Sequence, residues 1–268
     1  MLDLDFTLTK YRNLCRAIAQ NYPTLTMTEY FSGKESLEHF AIIRHDIDRK
    51  ACNAMNTARI EQESGIRATY YFRMNDSVFR PELIKEIEGM GHEVGYHYEV
   101  LGKSKGDLKK AIGLFETELA EFKKICNVKT ICMHGNPLSK YDDRELWKTY
   151  DFKDFGIIGE AYLSTGINLN YFSDTGRIWK RRDNLQDNIH AVRLVGSTDV
   201  MIEFIEKNKV DNIYIMTHPE RWASNSIGWG LSLIGDLAFN IGKSIFKARK
   251  LHNNKTAYDA TKLKGNKL

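Results

Sequence analysis

The chain alternates between short β-rich runs and longer segments whose apolar residues recur every three to four positions. Ala41–Asp46, Ala68–Met74, His92–Tyr98, Lys129–His134, Asn170–Asp174 and Asn212–Thr217 predict strands, and a seventh is expected around Phe155–Ala161. Between them, Arg49–Ser64 is rich in Ala, Met and Glu and predicts a helix closed by Gly65. Pro81–Met90 opens with proline at the first helical position and stops at Gly91. Leu108, Ala111, Ile112, Phe115, Leu119 and Phe122 draw a helical stripe through Ser104–Ile125. Asp142–Thr149 and Thr198–Lys207 follow the same logic. Strands alternating with helices in this way predict an α/β fold with a mainly parallel sheet, open or closed into a barrel.

The pattern changes after Trp222. Ser226–Leu251 strings together Ile227, Trp229, Leu231, Ile234, Leu237 and Ile241 with glycines at 228, 230, 235 and 242, then runs into a basic tail. One reading is a last helix packed on the body with a solvated end. The other is an interfacial anchor making peripheral contact with an anionic membrane. Charge sharpens the contrast. The chain of 268 residues carries a net +4, yet Lys243–Leu268 holds eight Lys or Arg against the single acid Asp259. The body before that tail is mildly acidic, which argues against a nucleic-acid partner. With 42% apolar residues and 4 prolines, a sizeable core is available, and disordered or collagen-like classes are excluded. Four cysteines without CxxC spacing point to a reducing compartment rather than a disulfide scaffold. The first residues lack a secretory apolar run, and no apolar stretch is long enough to span a bilayer. A cytoplasmic protein is expected, peripheral at most to the inner face of a membrane.

The chemistry concentrates where predicted strands end. Five of the eight histidines (His45, His92, His97, His134, His218) lie in or just after such runs. In parallel α/β folds the carboxyl ends of the strands form the active-site face. In Arg44-His45-Asp46-Ile47-Asp48, alternation projects Asp46 and Asp48 to one side, where two carboxylates repel unless a cation or a proton lies between them. A divalent metal resolves the conflict; alternatively, Asp46 pairs with Arg44 and Asp48 caps the next helix. In Gly91–Glu99, His97 and Glu99 share a face, and nitrogen with carboxylate donors suits zinc or a similar ion. His92, on the opposite face, is expected to be structural. His134 stands where a strand breaks into Gly135-Asn136-Pro137, placed as a ligand or substrate contact. Asp174 and Arg177 are expected to orient a catalytic group or to bind substrate hydroxyls. His218, held before Pro219, is a candidate general acid.

The order HDID, GHEVGYHYE, CMHGNP, SDTGR, MTHPERW resembles the polysaccharide deacetylase superfamily (NodB homology, carbohydrate esterase family 4). More narrowly, it resembles the divergent branch found in surface-polysaccharide and O-antigen gene clusters. The resemblance implies a distorted (β/α)7 barrel over residues 41–222. An N-terminal lead-in, 1–40, would pack on it, and a C-terminal helical extension with the basic tail would occupy 223–268. It also implies one bound metal ion, zinc being expected, and removal of an N-acetyl group from a nucleotide-linked or lipid-linked sugar. Asp46 matches the catalytic base, His97 the first metal histidine and His218 the general acid. Three departures stand out. Ile47 splits the family's adjacent aspartates, which makes Asp48 the metal acid. Leu101 occupies the place of the second metal histidine, so Glu99 and His134 are both candidates for the third ligand. His134-Gly135-Asn136-Pro137 replaces an arginine motif. Tyr96, Tyr98, Tyr141, Trp179 and Trp222 are candidates to stack on a sugar. Competing expectations are a ring-opening amidohydrolase acting on cyclic amides and a non-catalytic glycan- or partner-binding barrel with a degenerate site.

Overall fold

A computed structural model describes residues 4–33, 39–136, 139–166, 169–182, 192–207 and 212–235. Strand β2 (Phe40–Ile47) is buried along its whole length, and the rest of the sheet is arranged around it. In chain order the described elements are α1 (Leu8–Asn21), β1 (Thr24–Leu25), α2 (Met27–Phe31), β2, α3 (Ala51–Glu63), β3 (Thr69–Phe72), α4 (Pro81–Gly89) and β4 (Glu93–Tyr98). There follow α5 (Val100–Lys103), α6 (Leu108–Lys123), β5 (Thr130–Met133), β6 (Gly159–Glu160), β7 (Asn170–Ser173), β8 (Trp179–Arg182), β9 (Arg193–Gly196), α7 (Thr198–Lys207) and β10 (Asn212–Thr217). Residues 226–235 are helical. The ten strands form one mixed sheet in the order β6-β5-β4-β3-β2-β10-β7-β8-β9, with β1 alongside β2. All pairings from β6 to β7 along this order are parallel, and β8 and β9 are added antiparallel.

Alternation along β2 divides the molecule. Ala41, Ile43 and Ile47 point outward into the larger core, which is covered by α1, α3, α4, α6 and α7. Phe40 and Ile42 point inward, joining Tyr71, Cys132, Tyr171 and Tyr214 from four other strands in a smaller cluster. A single cluster drawn from β2, β3, β5, β7 and β10 requires the sheet to curl around it. Among the described residues, however, no pairing joins β6 to β7, so the sheet is observed as curled and open rather than as a closed barrel.

The predicted strands are all present, although the seventh is only the two residues of β6, preceded by a 3-10 turn at Phe152–Phe155. Asp142–Thr149 is a 3-10 helix, Asp143–Lys148, not an α-helix. Gly65 and Gly91 follow α3 and α4 with φ of +72° and +92°, the left-handed geometry that ends a helix there. Within the lead-in, α1 lies against α7, and β1 pairs in parallel with Ala41 and Ile42. The basic tail, Lys243–Leu268, lies outside the described residues. Among those described, no helix is long and apolar enough to cross a membrane.

Candidate metal centre at the strand ends

The polar side chains singled out in the sequence come together because they leave the same end of adjacent parallel strands. Asp46 is the inward residue near the end of β2, and Asp48 follows two positions on, beyond the strand. His97 is the last inward residue of β4, and His134 follows β5 directly. Asp174 and His218 follow β7 and β10.

Asp48, His97 and His134 offer one oxygen and two ring nitrogens within 4.8 Å of one another. His134 Nδ1 is 3.0 Å and His97 Nε2 3.3 Å from Asp48 Oδ1, and the two nitrogens are 3.3 Å apart. His97 Nδ1 lies 3.0 Å from the Cys132 carbonyl, which only accepts, so Nδ1 carries a hydrogen and Nε2 is the nitrogen turned to Asp48. Asp48 Oδ1 is buried between these nitrogens with no hydrogen bond of good geometry. Burial pushes the Asp48 carboxyl up, but the hydrogen-bonding potential and charge of the two imidazoles hold it well below the usual range. An anionic oxygen beside two ring nitrogens, each able to offer a lone pair when its imidazole is neutral, fits a divalent cation.

A second grouping, Asp46 with His97 and Cys132, is the poorer cation site. Arg44 already grips Asp46, with Nε 2.9 Å from Oδ1 and Nη2 2.9 Å from Oδ2. Burial works to raise the Asp46 pKa, and the Arg44 guanidinium with its neighbouring imidazoles outweighs it, keeping Asp46 ionised. Arg44 itself is buried inside the curled sheet and also donates to the hydroxyls of Tyr214 (3.0 Å) and Tyr162 (2.7 Å). Burial pushes the Cys132 thiol up, away from the thiolate a metal needs.

His218 forms the other half of the site. Its Nδ1 is 2.6 Å from Asp174 Oδ1, and its Nε2 is 3.9 Å from Asp48 Oδ2. Asp174 Oδ2 accepts from the Thr217 hydroxyl at 2.7 Å and from the His218 N–H at 2.9 Å. Burial would raise the Asp174 pKa, but Arg221 and His218 hold it far below the usual carboxylate range. For His218, burial and the Arg221 charge work downward, and Asp174 with Asp48 more than reverses them, raising its pKa.

Several expectations are corrected. Glu99 does not join His97: the strand ends at Tyr98, alternation lapses, and Glu99 turns into a two-pronged pair with Arg73 Nη2 at 2.7 Å to each carboxylate oxygen. The Arg177 side chain donates to Ser232, and Arg221 is the arginine that pairs with Asp174 beside His218. Tyr96, Tyr98, Trp179 and Trp222 are sealed in the outer core, which leaves Tyr141 as the half-exposed aromatic of that set. Leu101 is buried in the same core.

His92 is structural as expected, with Nδ1 accepting from Ala68 N–H at 3.1 Å and Nε2 3.0 Å from the Ala58 carbonyl. Behind the site, His45 Nε2 lies 2.7 Å from the fully buried Glu61, which also accepts from Tyr11 and, at 2.5 Å, from Tyr70. That network fixes the outer face of β2 against α3. The same short string thus sends His45 outward to hold the strand and Asp46 and Asp48 inward to the centre. Arg221 and the buried Glu220 lie within the quoted MTHPERW string, but nothing in their spacing marked them. No family model and no curated protein matches the chain.

Proposed function

We propose that this chain is a metal-dependent hydrolase that removes an N-acetyl group from a sugar, with zinc as its ion. The observation that carries the reading is the convergence of Asp48, His97 and His134 beside Asp46 and the His218–Asp174 pair. One carboxylate and two imidazoles suit zinc. Such an ion, when bound, polarises the acetamide carbonyl and lowers the pKa of water toward roughly 7. Asp46, kept ionised by Arg44, accepts the proton released as water adds to the acetamide carbon. His218, whose pKa is raised by Asp174, gives its proton to the sugar nitrogen as the C–N bond breaks, leaving acetate and a free amine.

The sugar itself rests on the motif resemblance, and its carrier is a nucleotide or a lipid. Seven parallel strands in the observed order are compatible with the distorted (β/α)7 barrel which that resemblance implies. A cleft of about 450 Å³, lined by Glu99, Gly102, Asn136, Ser139 and Tyr141, begins two residues beyond both His97 and His134. It favours a sugar over a small cyclic amide. The degenerate-site reading weakens because His134 supplies a donor where Leu101 cannot. It draws what support remains from the Arg44 grip, which makes Asp46 a weaker base.

Acetate release from N-acetylated nucleotide sugars and lipid-linked sugars tests the proposal. Asp46→Asn is expected to lower the rate by about 10²- to 10⁴-fold with zinc content unchanged. Release that persists at the wild-type rate removes Asp46 from the reaction. Zinc-loaded protein that releases no acetate from either substrate class turns the reading to a binding protein.

A further inference from the structure

Residues 226–235 form a helix with two unlike faces. One face is tied to the body. Trp229 Nε1 donates to the Asp5 carbonyl at 2.7 Å, and buried Ser232 donates to the Glu220 carbonyl at 3.1 Å while accepting from Arg177. On the other face Ile227, Leu231 and Ile234 are 78%, 65% and 65% exposed. At about 100° per residue these three lie within about 60° of one another, opposite Trp229 and Ser232. A surface helix ordinarily turns its apolar stripe to the core. Here the polar contacts face inward and the stripe faces out. Single exposed apolar residues need no explanation, but three stacked on one helix face mark a surface with a partner.

The sequence says what that partner is made of. Ala238, Ile241 and Ile245 continue the same spacing, and Lys243–Leu268 holds eight basic residues and one acid. An apolar stripe running into a cationic segment complements a surface that offers acyl chains beneath negative headgroups. The same cationic segment on a second copy of this chain would repel it. We propose that Ile227, Leu231 and Ile234 dock the chain peripherally on an anionic lipid surface, whose negative charge complements the basic sequence that follows. No helix among the described residues is long and apolar enough to cross a membrane. This inference does not depend on the hydrolase reading.

Sedimentation of the full chain with vesicles tests it, using phosphatidylcholine alone or with about a third phosphatidylglycerol. Binding is expected only to the anionic vesicles, and is expected to weaken when salt rises from about 0.1 M to about 0.5 M. The triple variant Ile227→Ser, Leu231→Ser, Ile234→Ser is expected to bind about tenfold more weakly or worse. Its melting temperature should be unchanged because all three side chains already face solvent. A second variant, with Lys243, Lys247, Arg249 and Lys250 changed to Gln, is expected to lose the salt dependence. Wild-type protein that ignores anionic vesicles, or a triple variant that binds them as well as wild type, overturns the proposal. A wild-type dimer in solution that the triple variant cannot form assigns the face to a second copy and overturns it equally.

Discussion

Asp46 and Asp48 stand two residues apart on one face of the chain, yet their neighbours give them different work. Arg44 neutralises Asp46 from the same strand, whereas the Asp48 carboxylate faces the imidazoles of His97 and His134. That asymmetry predicts where a metal goes. His134→Ala is expected to weaken zinc binding by about 100-fold or more, and Glu99→Ala to leave it within about threefold, as read by calorimetric titration. Equal losses in the two variants would put Glu99 back among the ligands. The sequence showed the donors but not the choice between them. Alternation places Glu99 with His97 only while the strand continues; β4 ends at Tyr98, and Glu99 pairs with Arg73, which follows β3. A third carboxylate carries a different prediction. Asp143 accepts the Leu101 N–H at 2.6 Å, and burial, aided by the Glu99 charge, pushes its pKa up to about 6. A carboxyl that binds its proton more tightly folded than unfolded stabilises the fold below its ordinary pKa of about 3.9. That contribution drains away as pH climbs to about 6, a span worth at most about 3 kcal/mol. Asp143→Asn keeps the acceptor and removes the titration. Its melting temperature relative to wild type should therefore rise between pH 4 and pH 7; a constant difference would show that Asp143 does not titrate in that window.

Strand β4 shows how an element positions the site. Gly95 sits two residues before His97 on the inward face, and a Cβ built there would lie 2.8 Å from the Thr130 carbonyl and inside the edge of the Tyr71 ring. The β4–β5 ladder must draw close at this point, and that closeness brings the Cys132 carbonyl onto His97 Nδ1. Gly95→Ala is expected to cost about 1–3 kcal/mol by overpacking and to lower zinc affinity, measured by denaturant unfolding and by titration. Wild-type stability in that variant would mean the strands part freely. Elements of this kind were legible because β2 and β10 carry apolar runs at Phe40–Ile43 and Ile213–Met216, β4 is rich in β-formers, and α3 and α4 stop at Gly65 and Gly91. The others were hidden for physical reasons. β8 reads Trp-Lys-Arg-Arg, with only Trp179 fully buried, and β9 begins with exposed Arg193 and Leu194, so neither shows the pattern of a buried strand. β1 is two residues long and exists only because Ala41 and Ile42 offer it a partner.

At the scale of the whole molecule, the candidate ligands come from the ends of three strands, β2, β4 and β5, and from no single local motif. β3 separates β2 from β4 in the sheet, so a cation gripped by Asp48 and His97 ties together strands that share no hydrogen bonds. The sheet is open between β6 and β7 among the described residues, and nothing in its backbone pairing fixes the curl at that edge. An ion held by all three ligands would supply that constraint at the rim, and binding to the folded state alone must raise stability by mass action. At a free zinc concentration about a hundredfold above Kd, the gain is about 2.7 kcal/mol. For a chain of this size that corresponds to a rise in Tm of about 5–10 °C. A chelator should reverse the shift in the wild type, and His134→Ala should show almost none of it at the same zinc concentration. Scanning calorimetry of both proteins, with zinc and with chelator, measures this directly. A wild-type Tm indifferent to zinc would mean that Asp48, His97 and His134 hold no ion, and the curled sheet would then keep its shape through Arg44 and the buried tyrosines alone.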